Sequence, residues 1–553
     1  MDDKLFIIAI GGTGMRCLES FVHLCAAGMF DNKTIDILTL DTDQSNGNKA
    51  RVEGLIDLYN RIKTSDQHTP GGVSTADTFF SAKLNLYRFF TDYSKAERKT
   101  FQTLSQTYNL TPQQREDNKD LADLFFDQDT VQEFPLDHGY RAQTHLGSLL
   151  MYHGIIESAI KTKRGGEDVQ EHDKELETFL QLLNRSAANA RVFVFGSVFG
   201  GTGASSIPVI PIALRDALKI LTSGNNELNL NKVKFGSTLL TDYFRFDAPD
   251  DKQKDAAKVI ADSTNFALNS QAAMGFYDND PTVKQSYKML YHIGWPGNLK
   301  INYSKDHHGD VITGGKEQKN PCHMVELLSA SAAYDFFNRK DLSQPQAEYV
   351  YRAVEATEGN KLRLTGASFV GEKDGTIFEQ KLGTLLSTAH LMLSRYGGAQ
   401  EGTDGTIEFL KDIERRNVEA YSGMPDEQAR LFDAYLKEYA YSIEEGQLAP
   451  GWLHQVKSTI DGSFIFADDA LSLVQSKLQE VDPGAIYKDD KYNWQTSGII
   501  GSKADRRFNK FMEVLKSNAS APTSQQGNSL KERFLGNLYN AITKTQKESH
   551  INS

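Results

Sequence analysis

The chain has 553 residues, 39% of them hydrophobic and 24% charged, with a net charge of −12. The composition is that of a globular protein, and at about 150 residues per domain the length allows roughly three or four units. The acidic balance argues against nucleic-acid or anionic-membrane binding, because both need basic faces. Cys17, Cys25 and Cys322 form neither a CxxC pair nor a zinc-spaced cluster, which points to a reducing compartment. No run approaches the roughly 18 apolar residues of a membrane helix. The first strand begins at Leu5, directly after Met1-Asp2-Asp3-Lys4, without the basic start of a signal peptide. A cytoplasmic protein is expected, with no membrane insertion and no nucleic-acid partner.

Leu5–Ile10 is a continuous apolar run, the pattern of a strand buried on both faces. Met15, Leu18, Val22 and Cys25 then fall at helical spacing, with Gly28 as the stop. Ile35–Leu40 is the next strand and ends in Asp41-Thr42-Asp43. This strand–helix–strand unit predicts parallel pairing through a right-handed crossover. Residues 44–135 are a polar insertion with helices expected near 76–92 and 118–127. His138-Gly139-Tyr140-Arg141 leads into an apolar segment from Leu146 to Ile160, and 161–175 is a second, charged insertion. Val192–Phe195 and Val233–Leu240 are further strands. Between them, Pro211 should bend or delay a helix. Helices are expected over 262–276 and 321–338, the latter with Asn320 as N-cap and Pro321 in its first turn. A second domain is expected over 345–515, with a helix built on Leu382, Leu385, Leu386, Ala389 and Leu393. A linker over 517–529 precedes a tail helix, Leu530–Ile542.

Chemistry concentrates in two turns of one spelling: Gly11-Gly12-Thr13-Gly14 and Gly200-Gly201-Thr202-Gly203. Each follows an apolar strand and opens a helix. Glycine lets an anion approach the backbone, and the free N–H groups at the helix start donate to it. Two such turns point to a nucleotide whose phosphates are gripped from two sides.

Those turns, Leu40-Asp41-Thr42-Asp43 at a strand end, and Phe199-Gly200-Gly201-Thr202-Gly203-Ala204-Ser205 together resemble the tubulin/FtsZ superfamily, as a divergent bacterial tubulin-like protein. Phe199 and Ser205 stand where the family's signature has glycine, and the resemblance covers roughly residues 1–340. It implies an α/β, Rossmann-like GTPase domain with a parallel sheet over 1–340, a second α+β domain of the activation type and a C-terminal helical tail over 516–553. It implies GTP or GDP with Mg2+. Gly11, Gly12, Thr13, Gly14 and Met15 would lie at the α- and β-phosphates, and Gly200, Gly201, Thr202, Gly203 and Ala204 opposite them. Asp43 would lie near the metal, supported by Asp41. Gly139 and Arg141 would sense the γ-phosphate, Thr241 would lie near the ribose, and Asn265, Phe266 and Asn269 near the base. Hydrolysis would be completed by an acid presented to the next subunit; Asn320, His323 and Glu326 occupy the corresponding stretch, with Glu326 one residue late. The implied activity is a slow, assembly-dependent GTPase that polymerises head to tail, its tail 530–553 open to a protein partner.

Plainer readings accompany these. Asp41 and Asp43 can simply cap a turn, Arg141 can be a surface ion-pair partner, Phe266 can be core, and His323 with Glu326 can be an exposed helix pair. Two other functions compete: a tubulin-like nucleotide-binding scaffold or sensor with little hydrolysis, and an NAD-dependent oxidoreductase. The latter misspells its GxGxxG motif, whose third glycine would fall at Cys17. No GxxxxGK[ST] occurs, which excludes a P-loop NTPase.

Overall fold

The computed structural model describes residues 3–31, 33–63, 78–91, 144–222, 229–247, 262–302, 315–353 apart from 317 and 319, 364–390, 405–415, 421–458 apart from 422, 445 and 446, 513–517 and 530–551, with isolated positions at 111–113, 116, 120 and 392. Seven strands form one parallel sheet: β1 (Lys4–Ile10), β2 (Thr34–Asp41), β3 (Lys83–Phe90), β4 (Ala190–Phe195), β5 (Lys234–Leu240), β6 (Tyr287–Gly294) and β7 (Glu348–Ala353). Their spatial order is β3-β2-β1-β4-β5-β6-β7, an α/β, Rossmann-like arrangement. The register sets Ala9 beside Phe195 and Ile10 beside Leu40.

β1 reads as uniformly apolar because it feeds two cores. Ile7 and Ala9 pack on one face of the sheet, Phe6, Ile8 and Ile10 on the other. The first face is covered by α1 (Gly11–Ala26), α2 (Gly47–Lys63) and α8 (Met324–Asn338); the second by α3 (Thr144–Arg164), α4 (Glu171–Ser186) and α6 (Ile210–Leu221). Between β4 and α6 a one-and-a-half-turn helix, α5 (Gly201–Ser206), stops before Pro208, and α6 restarts with Pro211 in its first turn. α7 (Phe266–Asn279) precedes β6.

Several expectations are corrected. The helix near 76–92 is instead β3: Leu84, Leu86 and Phe89 pair with β2 at the sheet edge, where backbone hydrogen bonding overrides a weak helical pattern. The helix expected near 118–127 lies almost wholly outside the described residues. The charged stretch 161–175 holds the end of α3, which runs to Arg164, and the start of α4 at Glu171. α8 starts three residues later than expected. His323 is its N-cap, accepting from the Val325 amide at 3.1 Å, while Glu326 accepts from the His323 amide at 3.1 Å. This reciprocal cap displaces Asn320 from the N-cap role.

The boundary near 345 also moves. β7 is the seventh strand of the first sheet. Further on, α9 (Glu372–His390), α10 (Asp426–Tyr439), α11 (Trp452–Ser458) and α12 (Leu530–Ile551) contribute to the same apolar cluster as α1 and α2. α1 is buried nearly all round for this reason. His23 Nδ1 meets the Tyr435 hydroxyl at 2.8 Å, and Trp452 Nε1 donates to Ser20 Oγ at 3.2 Å. Among the described residues, the elements after 345 share one buried apolar cluster with α1 and α2. α12 extends beyond the expected Ile542, and its Phe534, Leu535, Leu538 and Ile542 are buried in that core. The linker at 517–529 falls outside the described residues.

Leu538→Ala should lower unfolding free energy by about 2–5 kcal/mol, the usual range for a buried leucine. Urea denaturation followed by circular dichroism measures it. A change near zero would show that α12 is peripheral.

Candidate functional site at the centre of the sheet

Chain order reverses between β1 and β4, which run side by side. In open α/β sheets ligands bind in the crevice outside the carboxyl ends of the strands at such a switch point. Both glycine turns lie there. Gly11 has φ +65°, and a Cβ placed on it would come within 3.0 Å of Thr202 Cβ, so the two turns touch. Gly14 and Gly203 serve packing: a Cβ on the first would stand 2.5 Å from the Phe195 carbonyl oxygen, and on the second 2.6 Å from that of Ser197. Gly12, Thr13, Gly200, Gly201 and Thr202 are partly exposed along the seam. Neither α1 nor α5 has a side chain capping its N-terminus. The first N–H groups of both helices are left without intrahelical partners, and the two helix starts meet through Gly11 and Thr202.

Asp41 and Asp43 close β2 beside this seam, both buried. Asp43 is committed: Oδ1 accepts from the Ser45 amide at 3.0 Å and Oγ at 2.9 Å, and Oδ2 accepts from the Gly315 amide at 2.6 Å. It therefore ties loops together and offers a metal less than expected. Asp41 Oδ1 accepts from the Thr42 amide at 2.8 Å, while its Oδ2 is buried without a partner. Burial first, and the neighbouring Asp43 charge second, push the Asp41 carboxyl up to about 7. Among the described residues no group of three or more His, Cys, Asp or Glu is placed to hold a metal.

The remaining expected residues divide. Met15 is fully buried in the core and cannot line a ligand. Ala204 is buried, and its carbonyl accepts from the Tyr277 hydroxyl. Thr241, at the end of β5, donates from Oγ1 to the Ile293 carbonyl at 3.1 Å and so links two strand ends. Phe266 is core: its ring lies 4.9 Å from Phe199 and 5.7 Å from Phe246, and it is buried, which removes it as a base stacker. Phe199 itself anchors this aromatic group, which accounts for a large side chain at that position. Asn265 is exposed before α7, and Asn269 Nδ2 reaches the Phe199 carbonyl at 3.5 Å, so α7 does begin beside the second turn. Gly139 and Arg141 lie outside the described residues.

The expected acid is sequestered. Glu326 is 1% exposed. Its Oε1 accepts from Arg16 Nε at 2.6 Å and from the Tyr243 hydroxyl at 2.6 Å, while Oε2 caps α8. His323 is also fully buried, between the Tyr243 and Trp295 rings, and burial holds it well below its ordinary value. A carboxylate locked in this way presents no charge to a neighbouring copy. Asn320 instead bonds to Asn48. The pattern that went unread is the cluster of carboxamides, Asn46, Asn48, Gln318 and Asn320, gathered over Gly12. Arg16 was legible in principle, since a charge on a helix buried all round requires a partner.

A cleft of about 710 Å³ lined by Glu19, Arg51, Leu55, Leu58, Lys316 and Glu438 adjoins this region through Gly47 and Lys316, between α2 and α10. No family model and no curated protein matches the sequence, and no helix among the described residues is long and apolar enough to cross a membrane.

Glu326→Gln should destabilise the fold by about 3–5 kcal/mol, because it leaves the Arg16 guanidinium buried and uncompensated. Thermal denaturation checks it, and a shift below a degree would place the pair in solvent. For Asp41 the sign runs against the usual carboxylate case. Its folded pKa, about 7, exceeds the ordinary unfolded value, so the folded chain binds the extra proton. Stability from this group is present at acid pH and is lost as pH rises through about 7. Asp41→Asn should therefore gain on wild type between pH 5 and pH 8 in urea titrations; a constant gap would show that Asp41 stays ionised.

Proposed function

We propose that this chain is a nucleotide-binding protein of the tubulin/FtsZ kind, holding the phosphates of GTP or GDP between its two glycine turns. The contact between Gly11 and Thr202 carries the reading. Two turns of the same spelling, following adjacent parallel strands, open two helices without side-chain caps, and such N-termini suit an anion. Guanine as the base follows from the resemblance, with Asn269, which reaches the Phe199 carbonyl at 3.5 Å, and Asn265 at the start of α7 as the candidate contacts. For the accompanying Mg2+, Asp41 fits better than Asp43, since Asp41 alone of the two has an oxygen without a donor. A bound cation would supply charge neutralisation at the phosphates.

Head-to-tail assembly into filaments follows from the same resemblance: a heterologous contact that does not close yields an open fibre. The sequestration of Glu326 favours the second reading, a nucleotide-binding scaffold or sensor with little hydrolysis, over a brisk GTPase. The oxidoreductase reading leaves the second turn without a purpose.

Isothermal titration with GTP, GDP, ATP and NAD tests the site. Gly201→Val should weaken GTP binding roughly 100-fold or more, because the side chain covers two donors to a charged group. Unchanged affinity, or preference for NAD, would overturn the reading. Ultracentrifugation separates the two tubulin-like forms: a pellet with GTP and none with GDP supports filaments, and soluble protein under both conditions supports the scaffold.

A further inference from the structure

Above Gly12 stands a set of carboxamides whose orientation is decided by backbone donors. Asn46 Oδ1 accepts from the Asn48 amide at 2.9 Å and the Lys49 amide at 3.3 Å, capping α2. Asn48 Oδ1 accepts from the Asn320 amide at 3.2 Å. Each oxygen is held by a main-chain N–H, so each NH2 group must face the other way. Both lie beside one spot: a Cβ built on Gly12 would stand 3.4 Å from Asn48 Nδ2 and 3.5 Å from Asn46 Nδ2, with the Gln318 Oε1 acceptor also at 3.4 Å. Each nitrogen donates once to a crossing strap, Asn46 to Gln318 Oε1 at 2.9 Å and Asn48 to Asn320 Oδ1 at 3.0 Å. An amide nitrogen carries two hydrogens, which leaves one on each for a ligand. Both asparagines are 4% exposed. The strap is pinned by the Gly47 amide on the Gly315 carbonyl at 2.9 Å. It lies so close that a Cβ on Gly47 would meet the Lys316 carbonyl oxygen at 2.5 Å.

We propose that Asn46 and Asn48 form a third wall of the phosphate cradle, donating from their side-chain nitrogens to the anion over Gly12, with Gln318 and Asn320 as positioning residues that hold those nitrogens in place. The inference rests on the proposed nucleotide site and adds to it a set of neutral side-chain donors outside the two glycine turns.

Asn46→Asp keeps the cap and removes the donor. Aspartate caps a helix as well as asparagine does, so the oxygen contacts to α2 persist while the NH2 donor becomes a negative oxygen. GTP, GDP and inorganic pyrophosphate are titrated into wild type, Asn46→Asp, Asn48→Ala and Gln318→Ala, with melting temperatures measured alongside. Asn46→Asp should weaken all three ligands about 100-fold and Asn48→Ala about 10-fold, the size expected when donors to a charged acceptor are removed. Gln318→Ala should show a smaller loss; Asn46→Asp sets an oxygen against Gln318 Oε1 and should melt lower, so its titrations are run well below its own melting temperature and compared with those of Asn48→Ala. Wild-type binding lost in Gly201→Val but retained at full strength in Asn46→Asp and Asn48→Ala overturns the third wall and leaves the two-turn site standing. No binding of any of the three ligands to wild type overturns both.

Discussion

The parallel pairing of β1 with β4 is the constraint on which the site depends. A parallel strand must deliver its following helix at the same end of the sheet as its neighbour. With β1 and β4 adjacent, the chains leaving them toward α1 and α5 turn at the same edge, one on each face. Only residues without a side chain allow this at Gly14 and Gly203, where the next Cβ would sit inside a carbonyl oxygen's contact distance. The shared spelling of the two turns thus has a packing cause and a chemical consequence. The glycines that let each helix start press against its strand also leave the first N–H groups bare. Each uncapped terminus favours an anion by about 0.3–1 kcal/mol through its dipole, and direct hydrogen bonds to a charged ligand add more.

Arg16 and Glu326 weld this arrangement to the rest of the first face. Arg16 stands one turn into α1, Tyr243 follows β5, and Glu326 opens α8, so one carboxylate joins three elements. Arg16 also donates to the Pro321 carbonyl, immediately after the strap that carries Gln318 and Asn320. Desolvation offsets much of the Coulomb attraction in a buried pair. Its contribution is therefore chiefly geometric: it sets where the strap leaves α8 and so where the carboxamides face Gly12. An acid in this position belongs to the scaffold of the site.

The strands of the sheet interior were the legible part. Leu5–Ile10, Ile35–Leu40 and Val233–Leu240 are apolar runs because both of their faces are covered, and each appears within a residue or so of its expected limits. β3 was missed because it lies at the sheet edge, where Asn85, Tyr87 and Arg88 interrupt the apolar run and tertiary pairing decides the conformation. β7 was missed for a related reason: Glu348–Ala353 follows the expected boundary, and nothing local shows that a strand after α8 returns to the same sheet. The glycine turns were readable because their backbone demands are local. The carboxamide cluster was not, since Asn46 and Gln318 are 272 positions apart and meet only through the fold.

The groups around the seam fall into two kinds, and their opposition bears on how the site works. Over Gly12 stand polar groups without formal charge: two amide nitrogens, of Asn46 and Asn48, and the Gln318 Oε1 acceptor on the strap. At the end of β2 there is a buried carboxyl, Asp41, with one oxygen that nothing satisfies. Burial and the neighbouring Asp43 charge push it up to about 7, toward the protonated form. A phosphate alone would push it further toward the protonated form, because like charges disfavour ionisation. A phosphate that arrives with a divalent cation reverses the sign: the cation favours the carboxylate and displaces the proton.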